Sequence, residues 1–412
     1  MTNKIISLAY DKNFVDNTIG NPSALDPTTM PCIKFTARVI DTTTGLPPTK
    51  QVQVTWTATR QAVYYFDTNG DPLGSEAVET YTDINSGVAE VYTTCASPAF
   101  PTILAEPEND LDEKSNLEGP ITKSVVFCTI QDNPSSDYTA PYFKDEPVTM
   151  DDEQVYSLTA RVDKAKSSTY DDNTIVAWMA TRDQDNSVVN RYLLTNSSEK
   201  YRTLYTHGFE VPYGYMRTDD VGGDNVMQYL VCDQNGNATL SRLGEFTAIG
   251  TAYAMPDPKR IRDPNYPHLI YLNANGEEQD VTELTNDSFY KVNGSFAIQF
   301  QIPSHDYIDV DIDAPASDAI GTSAINDDDV LDIYMYLNGY TADDNQLPIS
   351  KVVYLGNHRF GDIENGILTI PRSLLGVYAA NAEHDPGSVL ITYQVNDLAW
   401  SPDTEWPTTF TG

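Results

Sequence analysis

The chain has 412 residues, of which 60 are acidic and 25 basic, so its formal net charge is −35 at pH 7. Such a charge repels phosphate backbones and anionic membrane surfaces, which argues against nucleic acid as a partner. The length exceeds what one compact core supports and predicts several domains. No stretch reaches the roughly 20 apolar residues of a membrane-spanning helix, so we expect no membrane insertion.

The elements predicted along the chain are short strands. Alternating runs rich in Tyr, Val and Thr are bounded by Gly, Pro, Asn or Asp, which is typical of strands joined by turns. Only residues 373–380 favour a helix, of about two turns. The sequence therefore predicts an all-β protein built from β-sandwiches.

The first predicted domain covers residues 1–133 and begins with an extended, proline-containing lead-in. Strands are predicted at 32–41, 52–59, 80–92 and 124–130, with turn signals between them. The polar, proline-containing segment at 131–137 predicts the linker to the next domain.

Two further domains are predicted from an internal repeat. Three elements recur in the same order, and the matched pairs are 171–178 with 327–334, 209–212 with 368–371, and 229–233 with 393–397. The offset grows from 156 to 159 to 164 residues, so the copies differ by loop lengths only. The predicted domains are 138–255 and 264–412, and three prolines in the linker between them predict limited bending.

The order of elements in the first domain resembles the bacterial immunoglobulin-like repeats of intimin and invasin-type adhesins. The residues that carry this resemblance are Ala37, Val39, Asp41, Gly45, Pro47, Val54, Trp56, Thr82, Asp83, Gly87, Ala89, Val91 and Ala105. The acidic segment at 106–119 departs from the pattern.

The repeated domains are similar to a second immunoglobulin-like repeat found in tandem in bacterial surface proteins. The residues that carry it are Asp172, Trp178, Val211, Pro212, Tyr229 and Val231, then Asp328, Tyr334, Ile370, Pro371, Tyr393 and Val395. Together the resemblances imply an all-β fold of tandem immunoglobulin-like β-sandwich domains with adhesive or spacer roles.

Clustered aspartates are the candidate metal ligands. Asp309 and Asp311 alternate with apolar residues, and Asp327, Asp328 and Asp329 follow at a predicted loop tip. Carboxylate oxygens in such loops are what Ca²⁺ prefers, but a solvated acidic face accounts for the same residues. Calcium is the one candidate cofactor, and we expect no other.

Aromatic side chains are the candidate binding residues. Trp400 and Trp406 lie in a proline-rich tail and favour an exposed binding role, and Tyr213 and Tyr215 are further candidates. Packing in the core or between domains is the alternative for all of them.

No pattern predicts catalysis. The chain has no Gly-x-Ser-x-Gly, no phosphate-binding glycine loop and no cysteine–histidine pattern, so we expect no enzyme activity. A glycosidase carboxylate pair stays open among so many acids, although small sandwiches seldom form deep clefts. The four cysteines are read as buried free thiols, with a bridge between Cys32 and Cys128 as the alternative.

These observations favour a rigid spacer or fibre subunit that presents loops for binding at a bacterial surface. Its expected partners are a protein or glycan ligand, or further copies of itself. We expect an extracellular location, although the start of the chain lacks the features of a signal peptide. The alternatives are a phage or particle component, located in a virion, and a toxin-associated protein that binds a receptor or glycan.

Overall fold

The computed structural model shows an all-β protein, as the sequence predicts. It describes residues 3–17, 23–59, 63–108, 121–132, 134–150, 157–165, 171–183, 186–195, 199–217, 224–233, 237–250, 254–304, 325–340, 348–375, 378, 380 and 386–410. The two α-helices in these ranges are short, α1 (Tyr201–His207) and α2 (Arg372–Leu375), and the second overlaps the predicted segment 373–380 only at its first three residues. None of the described helices combines the length and apolar character needed to cross a membrane.

The chain divides into two compact units. Unit 1 comprises Met1–Val148, Leu158–Val211 and Gly223–Ala248, and unit 2 comprises Thr149–Ser157, Pro212–Gly222 and Ile249–Gly412. The strands of unit 1 form a first and a second sandwich, and unit 2 contains a third.

The first sandwich packs a five-stranded sheet, in the order β1-β3-β8-β5-β6, on a four-stranded sheet, in the order β10-β9-β4-β7. The strands are β1 (Asn3–Tyr10), β2 (Phe14–Val15), β3 (Ile33–Asp41), β4 (Gln53–Ala58), β5 (Val63–Phe66), β6 (Pro72–Gly74), β7 (Val78–Tyr81), β8 (Val88–Cys95), β9 (Thr102–Pro107), β10 (Ile121–Ser124) and β11 (Val126–Phe127). Strand β3 alternates between buried and half-buried residues along its whole length, as expected when one face of a sheet meets the core. Trp56 is fully buried there, and its indole N–H donates to the Thr80 hydroxyl at 2.7 Å, so the buried polar atom is satisfied.

The second sandwich pairs β13 with β16 and places them against a sheet in the order β15-β14-β17-β18, with β19 also on β17. Its strands, with two short ones at the borders of the unit, are β12 (Val148–Met150), β13 (Ser157–Ala160), β14 (Thr174–Arg182), β15 (Val188–Leu193), β16 (Phe209–Pro212), β17 (Asn225–Cys232), β18 (Ala238–Leu240), β19 (Gly244–Phe246) and β20 (Ala248–Gly250). Tyr138, Tyr201 and Tyr229 form a ring cluster between the sheets, with centroids 5.1 to 6.2 Å apart.

The third sandwich places β21, β22 and β26 around β23, opposite a sheet in the order β25-β24-β27-β28 with β29 also on β27. Its strands are β21 (Ile270–Leu272), β22 (Tyr290–Val292), β23 (Ser295–Gln301), β24 (Val330–Tyr340), β25 (Pro348–Arg359), β26 (Ile367–Pro371), β27 (Gly387–Val395), β28 (Ala399–Trp400) and β29 (Thr404–Thr408). Residues from both sheets, including Phe300 and Ile333, share one buried core.

The two predicted repeats have the same strand register. Ala177 lies opposite Tyr229 in the second sandwich, and Ile333 lies opposite Tyr393 in the third. In each copy the tyrosine backbone N–H donates to a serine hydroxyl, from Tyr229 to Ser241 at 3.0 Å and from Tyr393 to Ser401 at 3.1 Å. The predicted division at 1–133, 138–255 and 264–412 stays a prediction.

Candidate functional site: a surface corner and an interdomain joint

Trp406 lies inside the third sandwich, so its predicted exposure is wrong. Its side chain is 7% exposed, and its ring lies 4.6 Å from that of Phe300. Strand β29 alternates, with Glu405 and Pro407 outward and Trp406 inward. Pro407 lies opposite Ser388 of β27, and on the other side of β29 its carbonyl accepts the Leu284 N–H at 2.8 Å.

Tyr213 and Tyr215 also serve internal packing, within unit 2. They form a single 3-10 turn after β16, and Tyr213 is 5% exposed. A Cβ on Gly214 would lie 2.7 Å from the Ala254 Cα, so the turn is pressed against the chain at Ala254 and only glycine fits. Burial raises the pKa of Tyr215 to about 12.

Trp400, like Tyr215, is only half-buried and so reaches the surface. It lies at the end of β28. Its ring lies 5.3 Å from that of Tyr334, whose ring lies 5.0 Å from that of Tyr354. The Arg260 guanidinium covers the ring at 4.8 Å, a cation–π contact.

Arg260 is a buried charge that sequence reasoning did not identify. Its side chain is 4% exposed and pairs with Asp403, which also accepts from Arg262 at 2.8 Å. Burial lowers the Arg260 pKa and the Asp403 carboxylate opposes this. Arg260 and Arg262 thus hold the linker to its own sandwich.

We call four neighbouring residues the Trp400 corner: Arg260, Ile261, Leu398 and Trp400. Two of them, Ile261 and Leu398, are exposed. Ile261 is 74% and Leu398 73% exposed, higher than any other described large hydrophobic side chain. The Trp400 N–H donates to the Ile261 carbonyl at 2.9 Å, so linker and hairpin lie side by side. The corner therefore presents an apolar surface held by backbone hydrogen bonds.

The predicted calcium ligands have structural roles where they are described. Asp328 accepts two hydrogen bonds from Arg359, at 3.2 and 3.0 Å. Asp329 accepts from Asn326 and Asn396, which ties its turn to the end of β27. Asp309 and Asp311 lie outside the described residues, and calcium binding at Asp327 to Asp329 stays a prediction.

Within the described ranges, no group of three or more His, Cys, Asp or Glu side chains is placed to hold a metal ion. All four cysteines are buried thiols outside any disulfide, so the Cys32–Cys128 bridge is not formed. Burial raises the pKa of the Cys128 thiol to about 12, which keeps it protonated and unreactive.

A second feature of note is an apolar joint between the sandwiches of unit 1. The first sandwich contributes Phe14, Phe100, Val126 and Cys128, and the second contributes Val176, Trp178, Leu230, Cys232 and Leu240. Phe14 and Trp178 meet edge to face at 5.2 Å, and Trp178 is 1% exposed. Strands β2 and β11 pair in parallel and bring Phe14 beside Val126. The two sandwiches therefore share a buried apolar cluster at their junction.

Ion pairs border this joint and fix its orientation. Arg191 donates to Asp16 at 2.6 Å and also lies over the Phe14 ring. Arg182, whose side chain is 8% exposed, donates to Asp132 at 2.5 Å. Charged pairs this short and partly buried add directional constraints to the apolar contact. They line a 390 Å³ cleft at the edge of the joint.

No protein-family model and no curated protein matches the chain. Solved structures similar to this chain include a C-terminal fragment of intimin in complex with the intimin-binding domain of the translocated intimin receptor. The sequence identity is 13% and the TM-score is 0.21, and the match covers 63% of this chain and 69% of the intimin fragment. The D0-D1 domains of intimin follow at 15% identity and a TM-score of 0.22, with 60% of this chain on 100% of that one.

Invasin, described as a bacterial integrin-binding protein, is also similar, at 13% identity and a TM-score of 0.20. The match covers all of this chain and 60% of the invasin chain. Intimin and invasin are the proteins whose repeats the sequence resembles. Likenesses with TM-scores this low carry no argument about function, which is therefore argued below from the residues.

Proposed function

We propose that this chain is a non-enzymatic structural and adhesive protein of a bacterial surface. Its tandem sandwiches act as a rigid support that carries binding surfaces away from the cell. The location outside the cell and the binding of a protein partner are parts of this proposal.

The joint in unit 1 is the observation that carries the proposal. Domains joined only by a linker move independently, because small polar interfaces do not hold them. Here nine buried residues from two sandwiches form one cluster, and Trp178 is its largest side chain. A shared core of this kind transmits force and orientation along the chain.

The linker at the third sandwich supports the same role. The Asn338 side chain accepts from the Ala254 N–H at 2.6 Å and donates to the Ala254 carbonyl at 3.0 Å. Together with the Arg260–Asp403 pair, these bonds hold the linker against the third sandwich at both Ala254 and Arg260. The prolines of this segment limit its backbone freedom further.

The Trp400 corner is the proposed binding surface. A half-buried tryptophan with an arginine on its face is the kind of anchor that concentrates binding energy in protein interfaces. Ile261 and Leu398 beside it add exposed apolar area. A protein partner is expected to cover these side chains.

Beads coated with the full chain test the adhesive part. We expect them to bind cultured epithelial cells in a saturable way, and protease treatment of the cells should remove that binding. A Trp400→Ala/Leu398→Ser variant should bind at least tenfold more weakly, whereas Phe296→Ser, which alters an exposed side chain elsewhere, should bind normally. Beads that bind no better than albumin-coated beads would overturn the adhesive role.

A further inference from the structure

Strand β25 forms one edge of its sheet in the third sandwich. It pairs with β24, and no other strand of the described ranges pairs with it. The outward backbone groups of an edge strand are a template on which a further extended chain can pair. With 12 residues β25 is longer than any other described strand, so its edge is the longest such template in the part of the chain that the structure describes.

The two faces of β25 are already occupied within unit 2. On one face, Val353 and Leu355 pack against the core of the third sandwich. On the other face, Val352 is buried, and a Cβ on Gly214 would lie 3.1 Å from its side chain, so the turn at 213–215 covers it. A new partner can therefore reach the middle of β25 only along its edge.

Backbone features close both ends of this edge. Pro348, the first residue of the strand, has no N–H to donate to a partner. Near the other end Leu355 is an extra residue in the pairing with β24, which makes a bulge, and the His358 Nε2–H donates to its carbonyl at 3.0 Å. Because a bulge interrupts regular pairing, the stretch left open is residues 350–354.

Lys351 lies in this open stretch, on the face of the strand that meets the core. It is opposite Leu337, which is fully buried. Lys351 is itself half-buried, and within the described ranges it makes no hydrogen bond and no ion pair. Burial lowers the pKa of its ammonium, and no described carboxylate opposes the shift. The charge therefore depends on the water that reaches it at the open edge.

The second sandwich shows that the fold does not require a lysine at this position. Thr181 matches Leu337 in the repeat, and it lies opposite Asn190 as Leu337 lies opposite Lys351. The Asn190 amide donates to the Thr181 hydroxyl at 3.1 Å, so this polar pair is satisfied within the sheet. In the third sandwich a charge without such a partner stands beside an apolar side chain at the same place.

We propose that Lys351 prevents a further strand from pairing with the edge of β25. An extended chain along residues 350–354 would remove the remaining water from the ammonium, and no hydrogen-bond acceptor of the described ranges would take its place. A charge that points inward from an edge strand opposes edge-to-edge pairing in this way. Lys351 therefore keeps copies of the chain separate, a role that goes beyond the adhesion proposed above.

Sedimentation velocity on the full chain at rising concentration tests this role. Lys351→Val and Lys351→Thr place neutral side chains that favour strands opposite Leu337, so both variants should fold. Each should self-associate at least about tenfold more tightly than the wild-type chain, with the valine variant the stronger. Lys351→Arg keeps the charge and should behave as the wild type does. Lys144→Val, which removes an exposed lysine outside any strand, is the matched control and should change nothing.

Hydrogen exchange locates the new contact. In Lys351→Val the backbone amides of residues 350–354 should exchange more slowly as the protein concentration rises, because a second strand then pairs with them. In the wild-type chain their exchange should not depend on concentration. A Lys351→Val chain that associates no more tightly than the wild type would overturn the proposal, as would association that leaves the exchange of these amides unchanged.

Discussion

The outer sheet faces of the second and third sandwiches come from matching positions of one repeat, yet they differ in chemistry. Val176 lies opposite Leu230 in the second sandwich, and the matching pair in the third is Asp332 and Gln394. Trp178 in the first of these faces matches Tyr334 in the second. One face is apolar and the other is polar and aromatic.

The difference follows from what covers each face. The face with Trp178 is buried by the end of the first sandwich, and Val176 and Leu230 are fully buried in the joint. The face with Tyr334 is met by linker residues at Asn338 and Trp400. Asp332 is satisfied there by the Tyr354 hydroxyl at 2.5 Å. The same sheet face therefore packs against another domain in the second sandwich and against the linker in the third.

The largest effect is expected from removing the largest side chain of the joint. Trp178→Ala should lower the free energy of unfolding by about 4 kcal/mol, because it leaves a large cavity in a shared core. Tyr334→Ala, at the matching and half-buried position, should cost about 1 kcal/mol. Chemical denaturation of both variants provides the measurement. Equal costs would mean that the two faces are packed alike.

A smaller effect is expected on the third sandwich from removing the partner of a buried charge. Asp403→Ala should cost about 3 kcal/mol, since it leaves the Arg260 guanidinium buried without its carboxylate. Glu283→Ala, which removes an exposed acid of the same sandwich, is the control and should change the free energy of unfolding by less than about 0.5 kcal/mol. If Asp403→Ala lowers the free energy of unfolding by no more than the control does, the Arg260–Asp403 pair does not hold the linker.

The smallest effect concerns pH. The pKa of Tyr215 is raised from 10.0 to about 12, so the folded state keeps this phenol neutral over a pH range in which the unfolded chain ionises it. Its contribution to stability is full below pH 10 and is lost as pH rises toward 12, by about 2.7 kcal/mol in total. Tyr215→Phe should flatten this alkaline loss, measured by denaturation between pH 9 and 12. An unchanged slope would contradict the burial of the phenol.

Much of the fold could be predicted from the sequence, because strands and turns are local features. The repeat was recognisable since Tyr229 and Tyr393 keep the same neighbours, and the structure gives them the same register. The serines that cap these tyrosines, Ser241 and Ser401, follow at different distances and so were missed.

The joint was not predicted, although β14 carries a signal for it. From Ile175 to Arg182 every residue of this strand is buried, which requires cover on both faces of the sheet. The uninterrupted apolar run from Ile175 to Ala180 is the sequence pattern expected of a strand that is buried on both faces. The partner side chains, such as Phe14, lie far away in the sequence, and no local pattern links them.

For Trp406 the sequence predicted exposure where the structure shows burial. Its neighbouring prolines favoured an exposed tail, whereas the alternation of Glu405, Trp406 and Pro407 is that of an edge strand with one buried face. Trp400 differs because β28 ends beside the linker, and the linker leaves part of its ring uncovered.

The distance between the first and second sandwiches tests the central claim of a rigid joint most directly. Spin labels at Asn85→Cys and Thr247→Cys, both exposed in the native chain, report it by pulsed electron paramagnetic resonance, and the four native thiols are buried. The shared core predicts one narrow distance distribution, which Trp178→Ala should broaden. A broad distribution in the unmodified joint would contradict the account.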